Sequence, residues 1–227
     1  MSEKKTKKKD YSKVYDKLKA YPFNEALGII RQVSKTKFDA SLEVHYRLGI
    51  NNKKSDQQVR GAASLPHGTG KTLKIAAFVS PENEKAAKAA GADLVGGEEL
   101  IEEIKKTEKT DFQVAIAEVS MMKHLAKIAK ILGTRGLMPS PKNETVTPNP
   151  VKAIEELKKG KISFKNDDTG NVHAIIGKLS FSDDKLKENF ESLLETIRKA
   201  KPSTSKGTFI KNVSIASSMS PGVKVSL

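Results

Sequence analysis

The 227-residue sequence contains no cysteine, which excludes disulfides, thiolate metal ligands and a cysteine nucleophile and fits a reducing cytosol. It has no uninterrupted apolar run of about 18 residues, so no membrane span is expected. No apolar signal core follows the N-terminal lysines, and the protein is expected to stay in the cytoplasm where it is made. Histidine is sparse: His45, His67, His124 and His173 are scattered, with no pair at metal-ligand spacing. Neither a cofactor, a metal nor an enzymatic activity is expected.

Positive charge, in contrast, is abundant. Lys and Arg number 41 against 27 Asp and Glu, for a net charge of +14 and a pI near 9.7. A polyanionic partner follows, because neutralising phosphates releases condensed counterions. The excess is unevenly spread. Residues 68–158 hold 14 basic and 13 acidic residues, a net of +1, whereas 1–67 together with 159–227 hold 27 and 14, a net of +13. The economical reading is one discontinuous basic domain built from 1–67 and 159–227, with a near-neutral domain, 68–158, inserted into it. The two crossings, Pro66, His67 and Gly68 on one side and Lys159, Gly160 and Lys161 on the other, then form a hinge. Residues 1–9, with five lysines and one glutamate, read as a flexible basic tail.

Hydrophobic periodicity predicts the elements. Ala26, Leu27, Ile30 and Val33 share a helical face that begins near Asn24, a plausible cap. Leu42, Val44, Tyr46, Leu48 and Ile50 alternate with polar residues as a half-buried strand. Residues 51–70 read as loop and linker. Beyond them, strands at Ile75–Val79, Asp93–Val95 and Val114–Val119 alternate with helices at Glu82–Ala90, Glu98–Lys106 and Met121–Leu132. That alternation predicts a small doubly wound unit, three α/β layers around a parallel sheet. Gly136–Pro150 reads as a long irregular surface loop, with either a functional or a plain covering role. Lys161–Lys165 and Asn171–Ile176 flank a turn-rich segment and predict a hairpin. A helix from Ser182 or Asp183 precedes Pro202, and strands at Thr208–Ser217 and Val223–Leu227 follow. The fold class is thus α/β and α+β, with a discontinuous basic α/β domain formed by both chain ends and a three-layer α/β domain inserted into it.

Gly68-Thr69-Gly70-Lys71-Thr72 ends like a phosphate-binding loop. The required earlier glycine is Leu65, however, and Leu73–Val79 reads as a strand where the loop must open a helix. Glycines after Asp93 and around Arg135 fit turns and caps better than a dinucleotide fingerprint. Lys37 and Phe38 offer a cation and an aromatic at the mouth of an amphipathic strand, where Phe38 either enters the core or packs on ribose or a base. The turn after Lys165 presents donors and acceptors able to read 2′-hydroxyls. Ser218, Met219 and Ser220 interrupt the last strands with small side chains around an adaptable thioether.

From about Tyr21 to Leu227 these segments resemble, in order and spacing, the bacterial L-one ribosomal protein family, the lateral stalk protein of the large subunit. The resemblance is carried by Lys37-Phe38-Asp39 through Glu43-Val44-His45, Ser55-Asp56-Gln57 with Val59-Arg60-Gly61, Leu65-Pro66-His67-Gly68, Gly91-Ala92-Asp93 with Val95-Gly96-Gly97, Gly133 with Arg135-Gly136-Leu137, and Met219 with Pro221. It implies a basic domain that grips the 23S rRNA stalk and a Rossmann-like domain that swings on the hinge. It further implies a monomer when free, a place in the 50S subunit, assistance to exit-site tRNA release, and repression of the protein's own operon mRNA. Carried over by position, the RNA surface comprises Lys37, Phe38, Ser41 and Glu43, then Lys165, Asp167 and Thr169, then Ser218, Met219 and Ser220. The family's usual last motif is threonine, methionine, glycine; here Ser220 adds a side chain where close backbone approach is expected.

Overall fold

A computed structural model describes residues 14–227, and the basic tail expected at 1–9 lies outside them. The first elements in chain order are α1 (Phe23–Val33), β1 (Ser41–Leu48) and β2 (Arg60–Ser64). The middle of the chain forms β3 (Ile75–Phe78), α2 (Glu84–Ala89), β4 (Leu94–Gly96), α3 (Glu98–Thr107), β5 (Val114–Ala117), α4 (Met122–Leu125), α5 (Ala129–Thr134) and α6 (Pro150–Lys159). Then come β6 (Lys161–Lys165), β7 (Asn171–Lys178), α7 (Asp183–Lys199), β8 (Ile210–Ser217) and β9 (Val223–Val225).

The alternation in β1 buries Leu42, Val44, Tyr46 and Leu48 on one face of an antiparallel sheet ordered β7-β1-β8-β9. Helices α1 and α7 cover that face. Phe190 of α7 stacks on Phe23 at 4.7 Å between ring centroids and on Tyr46 at 6.4 Å. Helix α1 starts at Phe23, with Pro22 before its first turn and no side-chain cap. Asn24 therefore lies inside the helix instead of capping it, because Phe23 is drawn inward to the stack. This buried cluster takes residues from Tyr15 to Leu65 and from Phe164 to Val225.

Residues 75–157 build two other clusters, one on each face of a parallel sheet ordered β4-β3-β5. Ile101 and Ile104 of α3, with Leu125, Ile128 and Leu132, pack on one face. Ala87 of α2 and Ala153, Ile154 and Leu157 of α6 pack on the other. The expected three layers are present. The helix expected over Met121–Leu132 is instead broken by a 3₁₀ turn at Ala126–Ile128.

Three further expectations need correction. Residues 51–70 include β2, which pairs with β6 from Arg60↔Lys165 to Ser64↔Lys161. The expected hairpin turns where predicted, but β6 and β7 share one bridge, Asn166↔Val172, and then diverge into different sheets, because β2 claims β6 and β1 claims β7. The Pro-rich loop is less irregular than expected. Its Val146 bridges Ala117, covering the edge of β5, and Pro150 opens α6 with Gly160 in the left-handed region at its end.

The two chain crossings lie side by side. Leu65 N–H donates to Gly160 O at 3.3 Å, and a Cβ on Gly160 would come within 2.3 Å of Gly68 Cα. Asn189 on α7, fully buried, accepts from His67 N–H at 3.0 Å and donates to Gly68 O at 2.9 Å and Ile176 O at 2.8 Å. Its amide satisfies three backbone groups at once.

Asn189→Ala therefore leaves three backbone groups without a partner and is expected to cost about 2–4 kcal/mol in urea denaturation, more than a single lost hydrogen bond. Gly160, at φ +113° and with backbone in the way, is expected to lose about 1–3 kcal/mol on change to Ala. Gly28→Ala, inside α1 with nothing within 4 Å, should gain about 0.5–1 kcal/mol in the same assay.

Candidate functional site

The exposed candidate side chains gather at the ends of β1, β7 and β8, where the strands stop pairing. At one end Ser218 N–H donates to Ser41 O at 3.0 Å, and Ser41 N–H donates to Ser218 Oγ at 3.3 Å. Ser41 is itself buried, so it acts as the backbone anchor of this corner. The turn from β8 to β9 puts Met219 in the left-handed region, at φ +63°, and leaves it 89% exposed. Phe38, between the adjoining residues Lys37 and Asp39, is 56% exposed, which decides the sequence alternatives against a core role. Ser220 does not protrude: its Oγ accepts from Ser217 N–H at 2.9 Å and donates to Pro221 O at 3.2 Å. Its side chain folds back into the turn, leaving the outer surface to Met219.

The other end of the sheet holds the turn between β6 and β7. Asp167 organises it, accepting from Thr169 N–H at 2.9 Å, Thr169 Oγ1 at 2.8 Å, Asn171 N–H at 2.7 Å and Asn171 Nδ2 at 3.1 Å. Partial burial opposes its charge, but the hydrogen bonds from Asn171 and Thr169 prevail and hold the carboxyl well below the usual carboxylate range. Both carboxylate oxygens are thus engaged within the turn, and Asp167 shapes Thr169 more than it reaches outward. Lys165 and Thr169 are exposed.

Nine of the ten residues drawn from the sequence therefore form two groups rather than one. Ser41 pairs with Lys178 and Arg47 with Asn171, so six residues of strand, about 20 Å, separate the two ends. Glu43 lies between them on the outward face, opposite Ile175 and Ala216.

Register also adds residues that sequence reasoning missed. Lys178 joins Phe38 and Met219 at the first end, its Nζ donating to Asp39 O at 3.1 Å. Arg60 stands directly opposite Lys165, two exposed cations whose mutual repulsion an anion would relieve. His45 faces His173 across β1 and β7, with Nδ1 atoms 2.8 Å apart. Burial first, and then the neighbouring His173, lower the His45 pKa. The antiparallel pairing of 41–48 with 171–178 was the missing signal, since each residue is unremarkable in its own segment.

The crossings border a cleft of about 910 Å³, lined among others by Glu43, Lys71, Thr72, Lys161, His173 and Lys178. Lys161 spans one side, bonded to Glu144 and, at 2.7 Å, to Glu156. Burial works against the Lys161 ammonium, but the two carboxylates outweigh it and raise its pKa.

Gly70, Lys71 and Thr72 run into β3, with no helix to orient a phosphate. The crevice at the carboxyl ends of β3 and β5, where doubly wound sheets bind ligands, holds a carboxylate of its own. Glu118 accepts there from Ser80 N–H at 2.9 Å and Ser80 Oγ at 2.8 Å. Those Ser80 bonds lower its pKa, so a carboxylate already holds the place an anionic ligand would take. Among the described residues no three His, Asp or Glu side chains are grouped to hold a metal, and no helix is long and apolar enough to cross a membrane.

A profile of the Ribosomal protein L1p/L10e family matches residues 30–221. The chain is 51% identical over 213 residues to the large ribosomal subunit protein uL1 of Kosmotoga olearia, covering 94% of this chain and 92% of that one. It is 49% identical over 210 residues to the uL1 of Actinobacillus succinogenes, covering 92% and 91%, and 48% identical over 218 residues to that of Mycoplasma capricolum, covering 96% of each. These are ribosomal proteins and not enzymes, and with a family match across both chain ends and the α/β middle, the chain belongs to the ribosomal protein L1 family.

Proposed function

We propose that the protein is a structural component of the large ribosomal subunit that binds the lateral stalk of 23S rRNA through the strand ends of its antiparallel sheet. Its relatives are named as large-subunit proteins, which supports the subunit. The observation that carries the RNA reading is the exposure of Phe38 and Met219 on neighbouring strand ends beside Lys37 and Lys178. An apolar pair ringed by cations fits a ribose or base face with its phosphates. The paired cations Arg60 and Lys165 fit a second stretch of the same backbone at the far end.

In this reading residues 1–67 and 159–227 are one RNA-binding domain and 68–158 a second, turning about Pro66, His67, Gly68, Lys159, Gly160 and Lys161. Support comes from the buried clusters, none of which mixes residues 75–157 with the rest. The α/β domain moves with the stalk to help deacylated tRNA leave the exit site. The same strand ends bind the protein's own operon mRNA where it imitates the stalk, and so repress translation. A free monomer that is ribosome-associated in the cell completes the assignment.

Footprinting on naked large-subunit RNA is expected to protect one stalk site, and protection scattered along the RNA rejects the proposal. Phe38→Ala is expected to lose about 1–3 kcal/mol of RNA affinity, the scale of one stacked base, and Met219→Ala to weaken binding in the same direction, with circular dichroism unchanged. Lys37→Ala or Lys165→Ala should instead reduce the slope of log affinity against log salt by about 0.7–0.9 per contact. An unaltered slope in both removes the phosphate role.

The Asp167 turn carries a pH signature. Its carboxyl is depressed on folding, so its stabilisation is complete above the unfolded carboxylate value of about 4 and is lost as pH falls through the lower folded value. Asp167→Asn is expected to weaken RNA binding at neutral pH by loosening Thr169 and to flatten the acid limb of a stability–pH curve. Parent-like curves in both measurements contradict the turn-organising role.

A further inference from the structure

We propose that His45 and His173 form a third contact of the RNA interface, a phosphate seat midway between its two ends that gains one proton when the phosphate arrives. The inference rests on the RNA reading above and deepens it. An RNA backbone touching both the Met219 corner and the Thr169 turn must pass along β1 and β7 for about 20 Å. The row at the middle of that path is His173, His45 and Ser214, with Lys224 opposite Ser214 on β9.

The geometry assigns the protons. His173 Nε2 lies 3.5 Å from Asp167 Oδ2, and that carboxylate is held ionised by its own turn. The hydrogen on His173 therefore sits on Nε2, facing the carboxylate, which leaves its Nδ1 as an acceptor. His45 Nδ1, 2.8 Å away, is then the donor, and the neutral His45 carries a bare Nε2 that has no partner among the described residues. A proton taken from solvent onto that Nε2 creates a charged donor for a phosphate oxygen while the bond between the rings stays intact. A second added proton would put two cations in contact, so uptake stops at one.

The surrounding charges determine when this happens. Glu43 favours a cationic His45. Arg47 on the same face of β1, Lys224 on β9, and Lys71, Lys161 and Lys178 around the cleft that His173 lines oppose it. Burial of His45 opposes it too, so His45 stays neutral near pH 7 in the free protein. A bound phosphate reverses the balance, raising the His45 pKa in the complex above that in the free protein. Affinity must then rise as pH falls through the complex value and level off below the free value. The other histidines cannot substitute: His67 is paired with Glu188 and His124 with Glu98, away from this face.

The test is titration calorimetry of the full chain with a stalk fragment of large-subunit RNA, at constant ionic strength between about pH 8 and about pH 6, in buffers of different ionisation heat. Net uptake peaking near half a proton is expected, with affinity rising up to about tenfold, the equivalent of one pKa unit. His45→Gln keeps a polar side chain without the titration; it should show neither the uptake nor the gain in affinity between about pH 8 and about pH 6. His173→Gln should also abolish the uptake. A parent that binds RNA without taking up a proton, or a His45→Gln variant that still does, overturns the seat and leaves the RNA reading standing. A folded parent that binds no stalk RNA at any pH overturns both.

Discussion

Everything in the molecule depends on the two-sided pairing of β1. Its eight residues hydrogen-bond to 171–178 on one edge and to 210–217 on the other, partners more than 120 positions away along the chain. No local preference can form such a sheet; the ends of the chain must meet first, at the entropic cost of closing a long loop. What repays that cost is the stripe of Leu42, Val44, Tyr46 and Leu48 sealed by α1 from one end of the chain and α7 from the other. The segment 75–157 keeps its own buried clusters, so it can lie between the paired halves without disturbing them. The same pairing makes the site, since Ser41 and Ser218 touch only because β1 and β8 are in register.

How much of this was legible in sequence follows the range of the forces involved. Strand β1, helices α1 and α7 and the parallel βα alternation declare themselves through local hydrophobic period, and all are present. Strand β2 was read as linker because Arg60-Gly61-Ala62-Ala63-Ser64 has neither alternation nor branched side chains. It is a strand because β6 pairs with it. The hairpin reading had the turn right, since Asp167 and Gly170 are local turn chemistry, and the pairing wrong, since pairing is decided by distant strands. Helix α6 did leave a local signal, Pro150 at its first turn and Gly160 past its last, which the preceding proline-rich run obscured.

The site was legible in parts and not as a whole. Phe38 and Met219 could be named as candidates, yet their exposure depends on where the chain bends: Phe38 lies before β1 begins, and Met219 takes a positive φ in the turn after β8. Resemblance supplied the ten positions, and geometry divides nine of them between two ends, with Glu43 and a histidine pair between. Lys178, Arg60, His45 and His173 could not be named as candidate contacts because a cross-strand neighbour has no mark in its own sequence. Ser220 looked like an obstruction beside the glycine usual in the family. Its hydroxyl satisfies Ser217 N–H and Pro221 O, so the extra atoms turn inward and the backbone remains approachable from outside.

The α/β unit raises the opposite problem, since it resembles a nucleotide-binding fold and lacks the means to bind one. Its glycine-lysine-threonine run leads into a strand, which leaves no helix dipole to hold phosphate. At its switch point the donors of Ser80 already serve Glu118, and an entering anion would meet a carboxylate. Nearly neutral overall, the unit has no long-range attraction for RNA comparable to that of the chain ends. Its contact with the rest of the chain is a narrow seam. Lys161 joins Glu144 and Glu156, the Pro141–Asn143 turn touches β2, and Gly68 and Gly160 meet backbone to backbone. A seam of few, mostly polar contacts beside a paired crossing fits the proposed hinge, and the excess positive charge proposed to meet RNA lies on the other side of it.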